Sequence, residues 1–110
     1  MSMEPVKVEK KVLETDVENA VCRYARARGL LALKFASPNR RSVPDRIFLG
    51  PGAAVFFIEF KRPGVTKATE AQLREHERLR RLGFVVHVVN RIDAGKAIID
   101  HWAKVTGCFL

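Results

Sequence analysis

Apolar residues at Val17, Ala20, Val21, Tyr24 and Ala25 recur at steps of three and four, the period of one helix face. Thr15 followed three residues later by Glu18 has the form of a capping box and sets the helix start, while Gly29 supplies a C-terminal stop. The period then shortens. LLALKFA reads as a strand, SPNRRSVP as a polar loop, DRIFLG as a second strand and GPG as the turn into a third, AAVFFIEFK. Because this third run is apolar at consecutive positions, both of its faces are expected to be buried, which places it inside a sheet. Past the breaker RPG, Thr69 and Gln72 repeat the capping-box spacing at the head of a helix that runs to about Leu82 and stops at Gly83. FVVHVV is a fourth strand, and Asp93 caps a last helix, AGKAIIDHWAKV, that turns Ala97, Ile98 and Trp102 inward.

The order is helix, three strands, helix, strand, helix. The short GPG link favours an antiparallel hairpin, and the helix between the third and fourth strands favours a parallel crossover. The expected fold class is therefore α/β, a mixed central β-sheet flanked by helices. One domain over residues 15–106 follows a charged arm, residues 1–14, and precedes a short apolar tail, residues 107–110, whose Phe109 and Leu110 have no evident place in a monomer core.

Composition narrows the partners. A chain of 110 residues that is 47% hydrophobic and 29% charged has the balance of a folded domain, too apolar for disorder and too charged for a membrane span. MSMEPVKVEKKVLE is polar where a signal sequence would be apolar, so a cytoplasmic protein without a membrane partner is expected. Cys22 and Cys108 lack metal-ligand spacing and read as reduced thiols, and His76, His87 and His101 are too scattered to write a zinc site. Twenty Lys and Arg against twelve Asp and Glu leave a net charge of +8, which makes a polyanion the first partner to consider. The basic stretch LREHERLRRL interleaves Glu75 and Glu77 with its arginines, unlike a membrane-surface helix, so nucleic acid is favoured.

Chemistry concentrates in VPDRIFLGPGAAVFFIEFKRPG, residues 43–64. Strand alternation projects Glu59 and Lys61 from one face and Ile58 and Phe60 from the other. An antiparallel hairpin brings Asp45, at the start of one strand, beside Glu59, near the end of the next, so two carboxylates and a lysine converge at one sheet end. The carboxylates repel each other unless a cation joins them, and hard oxygen ligands in that number suit Mg²⁺, which keeps waters and takes phosphate. Lys61 is placed to position an attacking water or to neutralise charge developing on phosphorus. The plainer reading of the same residues is a strand-end ion pair and a turn aspartate. Arg40, Arg41 and Arg46 flank the aspartate as candidate phosphate contacts, with Lys67 a further candidate, whereas Phe56 and Phe57 sit mid-strand and read as core.

Pro44-Asp45 followed by Glu59-Phe60-Lys61 resembles the PD-(D/E)xK nuclease signature, and the chain around it is similar to the VRR-NUC (virus-type replication-repair nuclease) branch in its stand-alone phage and bacterial form. The likeness rests on order: an early helix with Glu18, the RRSVPDR loop, an apolar strand ending in Glu59 and Lys61, and a helix opening with Gln72. Family members commonly carry a glycine-bearing loop ahead of the proline-aspartate pair, where this chain has Ser42. The resemblance implies a restriction-endonuclease-like fold of order αβββαβα. It implies Asp45, Glu59 and the Phe60 carbonyl as metal ligands, Lys61 as the catalytic lysine, Glu18 as a helix-borne acid with a catalytic or metal-linked role, and Gln72 at the border of the site. It further implies Mg²⁺ or Mn²⁺ as cofactor and DNA as substrate in a bacterial or phage-infected cell. Similar stand-alone members resolve four-way junctions as homodimers, so branched DNA and a homodimer are expected. Two function classes remain: a metal-dependent endodeoxyribonuclease, selective for branched DNA or less selective on flaps and duplex, and a nucleic-acid-binding module that keeps the fold without turnover. Retention of all three of Asp45, Glu59 and Lys61 favours the first.

Overall fold

A computed structural model describes residues 11–107. Its elements are α1 (Glu14–Ala27), β1 (Leu31–Lys34), β2 (Arg46–Gly50), β3 (Ala54–Phe60), α2 (Glu70–Arg81), β4 (Val85–Val89) and α3 (Ile92–Thr106). The sheet runs β1-β2-β3-β4, antiparallel across the first two pairings and parallel between β3 and β4. The element order, the hairpin and the crossover all match the pattern expected from the sequence. Gly50 pairs with Ala54 across the turn, where Gly52 and Ala53 take left-handed φ angles of 69° and 60°.

Alternation along β3 divides the molecule. Phe56, Ile58 and Phe60 are fully buried in a core with Val17, Val21 and Ala25 of α1 and Ile99 of α3. Phe56 lies stacked between Phe48, at 4.8 Å between ring centroids, and Trp102, at 4.4 Å. Phe57 and Glu59 face the other way, where Phe57 meets Phe35 and Phe84 and α2 delivers His76. Both phenylalanines are thus core residues, and β3 is central with both faces covered along its second half. Arginines partly close the two sheet edges: Arg26 donates to the Ala32 carbonyl on β1 and Arg80 to the Val86 carbonyl on β4.

Three local expectations need correction. Helix α1 begins at Glu14 with Leu13 as N-cap, and the residue that reaches back is Asp16, whose carboxylate accepts the Leu13 N–H at 2.8 Å. Thr15 is therefore inside the first turn and Glu18 is released from any capping duty. Helix α3 begins at Ile92, so Asp93 lies in the first turn and accepts from the Arg91 guanidinium and the Ala94 N–H instead of capping. Its buried stripe is Gly95, Ile99 and Ala103, flanked by Ile98 and Trp102, and Ala97 is exposed. The stripe is set by where the helix can approach α1, and that point is a glycine. Cys22 is a free, buried thiol, while Cys108, Phe109 and Leu110 and most of the N-terminal arm lie outside the described residues. No helix among the described residues is long and apolar enough to cross a membrane.

Gly95 sets the distance between α1 and α3. A Cβ there would stand 2.3 Å from Val21 Cγ2 and 3.2 Å from Val89 Cγ1. Gly95→Ala gains about 1 kcal/mol of helix propensity but forces a fully buried valine and the helix backbone apart, which costs about 1–3 kcal/mol or more. At so short a contact the clash wins. Thermal or urea unfolding should show a net destabilisation, and a variant as stable as the parent would mean that α3 does not press on Val21.

Candidate active site

Asp45 is placed by backbone on both sides. Pro44 before it is fully buried, and the Asp45 carbonyl accepts the Phe35 N–H at 3.0 Å, which continues the β1–β2 ladder into the loop. The Asp45 carboxyl accepts the Phe60 N–H at 2.7 Å and is in hydrogen-bonding contact with the Glu59 carboxyl. Glu59 is 2% exposed, and its Oε1 has no hydrogen-bond partner. Behind it stands His76, 0% exposed, with Nε2 3.6 Å from that oxygen and neither ring nitrogen hydrogen-bonded.

Lys61 follows on the same face as Glu59. Its N–H donates to the Val89 carbonyl at 2.8 Å, and its Nζ donates to Gln72 Oε1 at 2.7 Å. The same Gln72 oxygen accepts the Thr69 N–H at 2.9 Å, while Thr69 Oγ1 accepts the Gln72 N–H at 3.2 Å. The capping box expected at Thr69 is therefore real, and it also holds the lysine.

The electrostatics are those of two crowded acids. Burial, then the hydrogen bond from Glu59, pushes the Asp45 carboxyl up to about 7, against the lowering pull of the Phe60 N–H. Burial also raises Glu59, offset in part by Asp45 and Lys61, and burial lowers His76 so that it stands neutral. Two crowded carboxyl groups that hold a proton between them, one with an orphaned buried oxygen, fit a divalent ion that would replace that proton. Among the described residues no group of three or more His, Cys, Asp and Glu is gathered for a metal. One or two carboxylates are the donor set that Mg²⁺ tolerates, its other positions being filled by water.

The fold agrees with known proteins. No family model matches the chain. A protein of Acyrthosiphon pisum secondary endosymbiont phage 1 described as "Putative nuclease p44" is 43% identical over 82 residues, covering 74% of this chain and 87% of its own. A solved structure described as a VRR_NUC domain superposes with a TM-score of 0.73 at 32% identity, over 81% of this chain and 96% of its own. A second, described as a VRR_NUC domain protein, does so with a TM-score of 0.67 at 25% identity, over 87% and 92%. The chain belongs to the VRR-NUC family. Its αβββαβα order and mixed sheet are accordingly the PD-(D/E)xK type of fold.

Within this VRR-NUC domain the remaining candidates are distributed unevenly. Glu18 pairs with Arg46 at 2.6 Å, a bond that ties α1 to the first residue of β2, so this carboxylate is engaged beside the Asp45–Glu59 pair and not joined to it. Arg46 is only 9% exposed and turned into the protein. Arg40 makes a two-point bond to Glu75, at 3.1 and 3.2 Å. Arg41 and Lys67 are exposed. Ser42 has a left-handed φ of 65°, a conformation that glycine takes without penalty. The sequence reading sets His76 aside as one of three scattered histidines, although its position four residues after Gln72 puts both on one face of α2.

A carboxyl raised from 3.8 to about 7 keeps a proton in the folded chain that the unfolded chain has already lost. Without metal, folding is therefore penalised increasingly as pH climbs from about 4 to about 7, by up to a few kcal/mol at 1.36 kcal/mol per pKa unit. Asp45→Asn keeps an oxygen for the Phe60 N–H and has nothing to ionise. In the presence of chelator its melting temperature relative to the parent should rise across that window. A difference that stays flat with pH would show that Asp45 is not held protonated.

Proposed function

We propose that this VRR-NUC domain is a Mg²⁺- or Mn²⁺-dependent endodeoxyribonuclease. The observation that carries the reading is the paired Asp45 and Glu59 carboxyls, Glu59 buried and Asp45 partly buried, with Lys61 Nζ held 2.7 Å from Gln72 on the same sheet face. Asp45, Glu59 and the Phe60 carbonyl would hold the ion, which when bound polarises a phosphate oxygen and acidifies a water. Lys61 has one donor on Gln72 and two left over, so its ammonium is fixed in place and still free to bind the scissile phosphate or the attacking water. Neutral His76 walls off Glu59 from below and leaves its carboxylate only the direction of Asp45. Glu18 acts at one remove, by holding Arg46 next to Asp45. The exposed Arg41 and Lys67 are the better phosphate contacts, with Arg40 available only if it leaves Glu75.

For the substrate we infer branched DNA, a four-way junction first, cut by a homodimer in two symmetric nicks. Each chain carries one Asp45, Glu59 and Lys61 set, and one set cuts one strand at a time. A two-fold dimer supplies the second cut with the required symmetry. An apolar patch supports a second copy: Leu31 and Leu33, 57% and 46% exposed, share a sheet face with Ile47 and Leu49, opposite the face that α1 and α3 cover.

Asp45→Asn, Glu59→Gln and Lys61→Ala should each lower cleavage roughly 10²-fold or more, in a protein that remains folded. Calorimetric titration should show Mn²⁺ affinity lost in the two carboxylate variants and nearly kept in Lys61→Ala. Gels of a four-way junction, a flap, a duplex and a single strand, with each metal and with chelator, separate the classes: full cleavage by Glu59→Gln, or binding without any cleavage by the parent, would leave a binding module. Light scattering should find a dimer at micromolar concentration, and cleavage mapping should find paired nicks across the junction. A monomer giving one nick would leave a less selective nuclease.

A further inference from the structure

A cleft outside this machinery opens between α2 and the loop that carries residues 35–43. Its volume is about 520 Å³, within the usual range of about 300–1,000 Å³ for small-molecule sites. Phe35, Val43 and Leu79 line it, and Leu82, 74% exposed, stands at its rim. The charged residues around it are Arg40, Arg78, Arg81 and Glu75. Glu75 is answered twice, by the two-point bond from Arg40 and by Arg78 at 3.9 Å, and Arg81 pairs with Glu77 at 3.5 Å, so three arginines against two glutamates leave the rim a positive excess over an apolar floor. A free phosphate has no use for that floor, and an aliphatic side chain has none for that rim. A nucleotide uses both, since it joins a flat, largely apolar base to an anionic backbone.

The cleft is wired to the active site. Phe35 is the residue whose N–H holds the Asp45 carbonyl, and Val43 lies two residues before Asp45. Gln72, Glu75 and Leu79 follow one another along a single face of α2, and seven residues of helix at 1.5 Å each set Leu79 about 10 Å from Gln72. One or two nucleotides of an unstacked strand span such a distance.

We propose that this cleft takes one unstacked nucleobase of the DNA, adjacent to the phosphate at Asp45, and so selects DNA that offers an unpaired or easily unstacked nucleotide at the cutting point. The inference rests on the nuclease reading above. A base stacked and paired in duplex must first be extruded, whereas one at a junction, flap or bulge is already loose, so the cleft favours those structures without reading their sequence.

A cycle between enzyme and substrate tests it. Abasic positions are scanned over three nucleotides on either side of the mapped cut in a four-way junction, against the parent and against Leu82→Ala and Phe35→Ala. At one position, removing the base and trimming the cleft should each lower kcat/KM about tenfold, and the two together should lower it little further, because both delete the same contact. Losses that multiply at every position, or an enzyme indifferent to all abasic positions, would overturn the proposal. A second arm needs no cleavage. With the Glu59→Gln protein, 2-aminopurine at that position should brighten or quench on binding, and the change should vanish in Glu59→Gln/Leu82→Ala. Binding with no fluorescence change at any position also overturns it. A parent protein that cuts no DNA in either metal would instead sink the nuclease reading, a result this second arm keeps separate.

Discussion

The antiparallel pairing of β2 with β3 is the constraint on which the site depends. Arg46 opposite Ile58 fixes the register, and Asp45, one residue earlier, then has nowhere to put its carboxyl except against the Phe60 N–H and Glu59. A buried acid beside a partly buried one is a cost to the fold. The cost is met on the opposite face of the same strand, where Phe56, Ile58 and Phe60 close the core and the Phe48–Phe56–Trp102 stack pins the hairpin to α3. One strand therefore carries core packing on one face and an acid of the crowded pair on the other, and its alternation keeps them apart.

That alternation is why so much of the site can be read from the sequence. AVFFIEFK names its own faces, and the link from Asp45 to Glu59 is a hairpin, a short-range contact that turn chemistry announces. What local spacing cannot carry is harder to see. Thr15 and Glu18 have the form of a cap, but Asp16 offers its carboxylate to Leu13 and Glu18 finds Arg46, twenty-eight residues away. His76 looks like one more polar residue on a charged helix until the sheet is folded beneath it. The apolar pattern turns Ala97 inward and gives Gly95 no weight, whereas close helix packing selects glycine for having no side chain at all.

The basic charge of the chain is less available than its total implies. Near the aspartate, Arg46 is committed to Glu18 and Arg40 to Glu75, so these two guanidiniums hold helices to the sheet and to the loop before they can meet a polyanion. Arg41 and Lys67 stay exposed. The loop between them and the sheet carries its own strain: Ser42 in a left-handed conformation costs about 1 kcal/mol. Such local penalties gather where geometry is set by chemistry and not by packing.

Gln72 illustrates how narrow that geometry can become. One amide oxygen serves the Thr69 N–H and Lys61 Nζ at once, two donors from two separate segments. Asparagine, a methylene shorter, falls short of both together. Glutamate keeps the reach but sets a full negative charge against the ammonium and so holds it more tightly than the amide does. Alanine frees the lysine and opens the helix start together. Position 72 consequently has a smaller permitted alphabet than either the helix or the lysine would impose alone, so substitution at the helix terminus is restrained by a hydrogen bond to a residue eleven positions upstream.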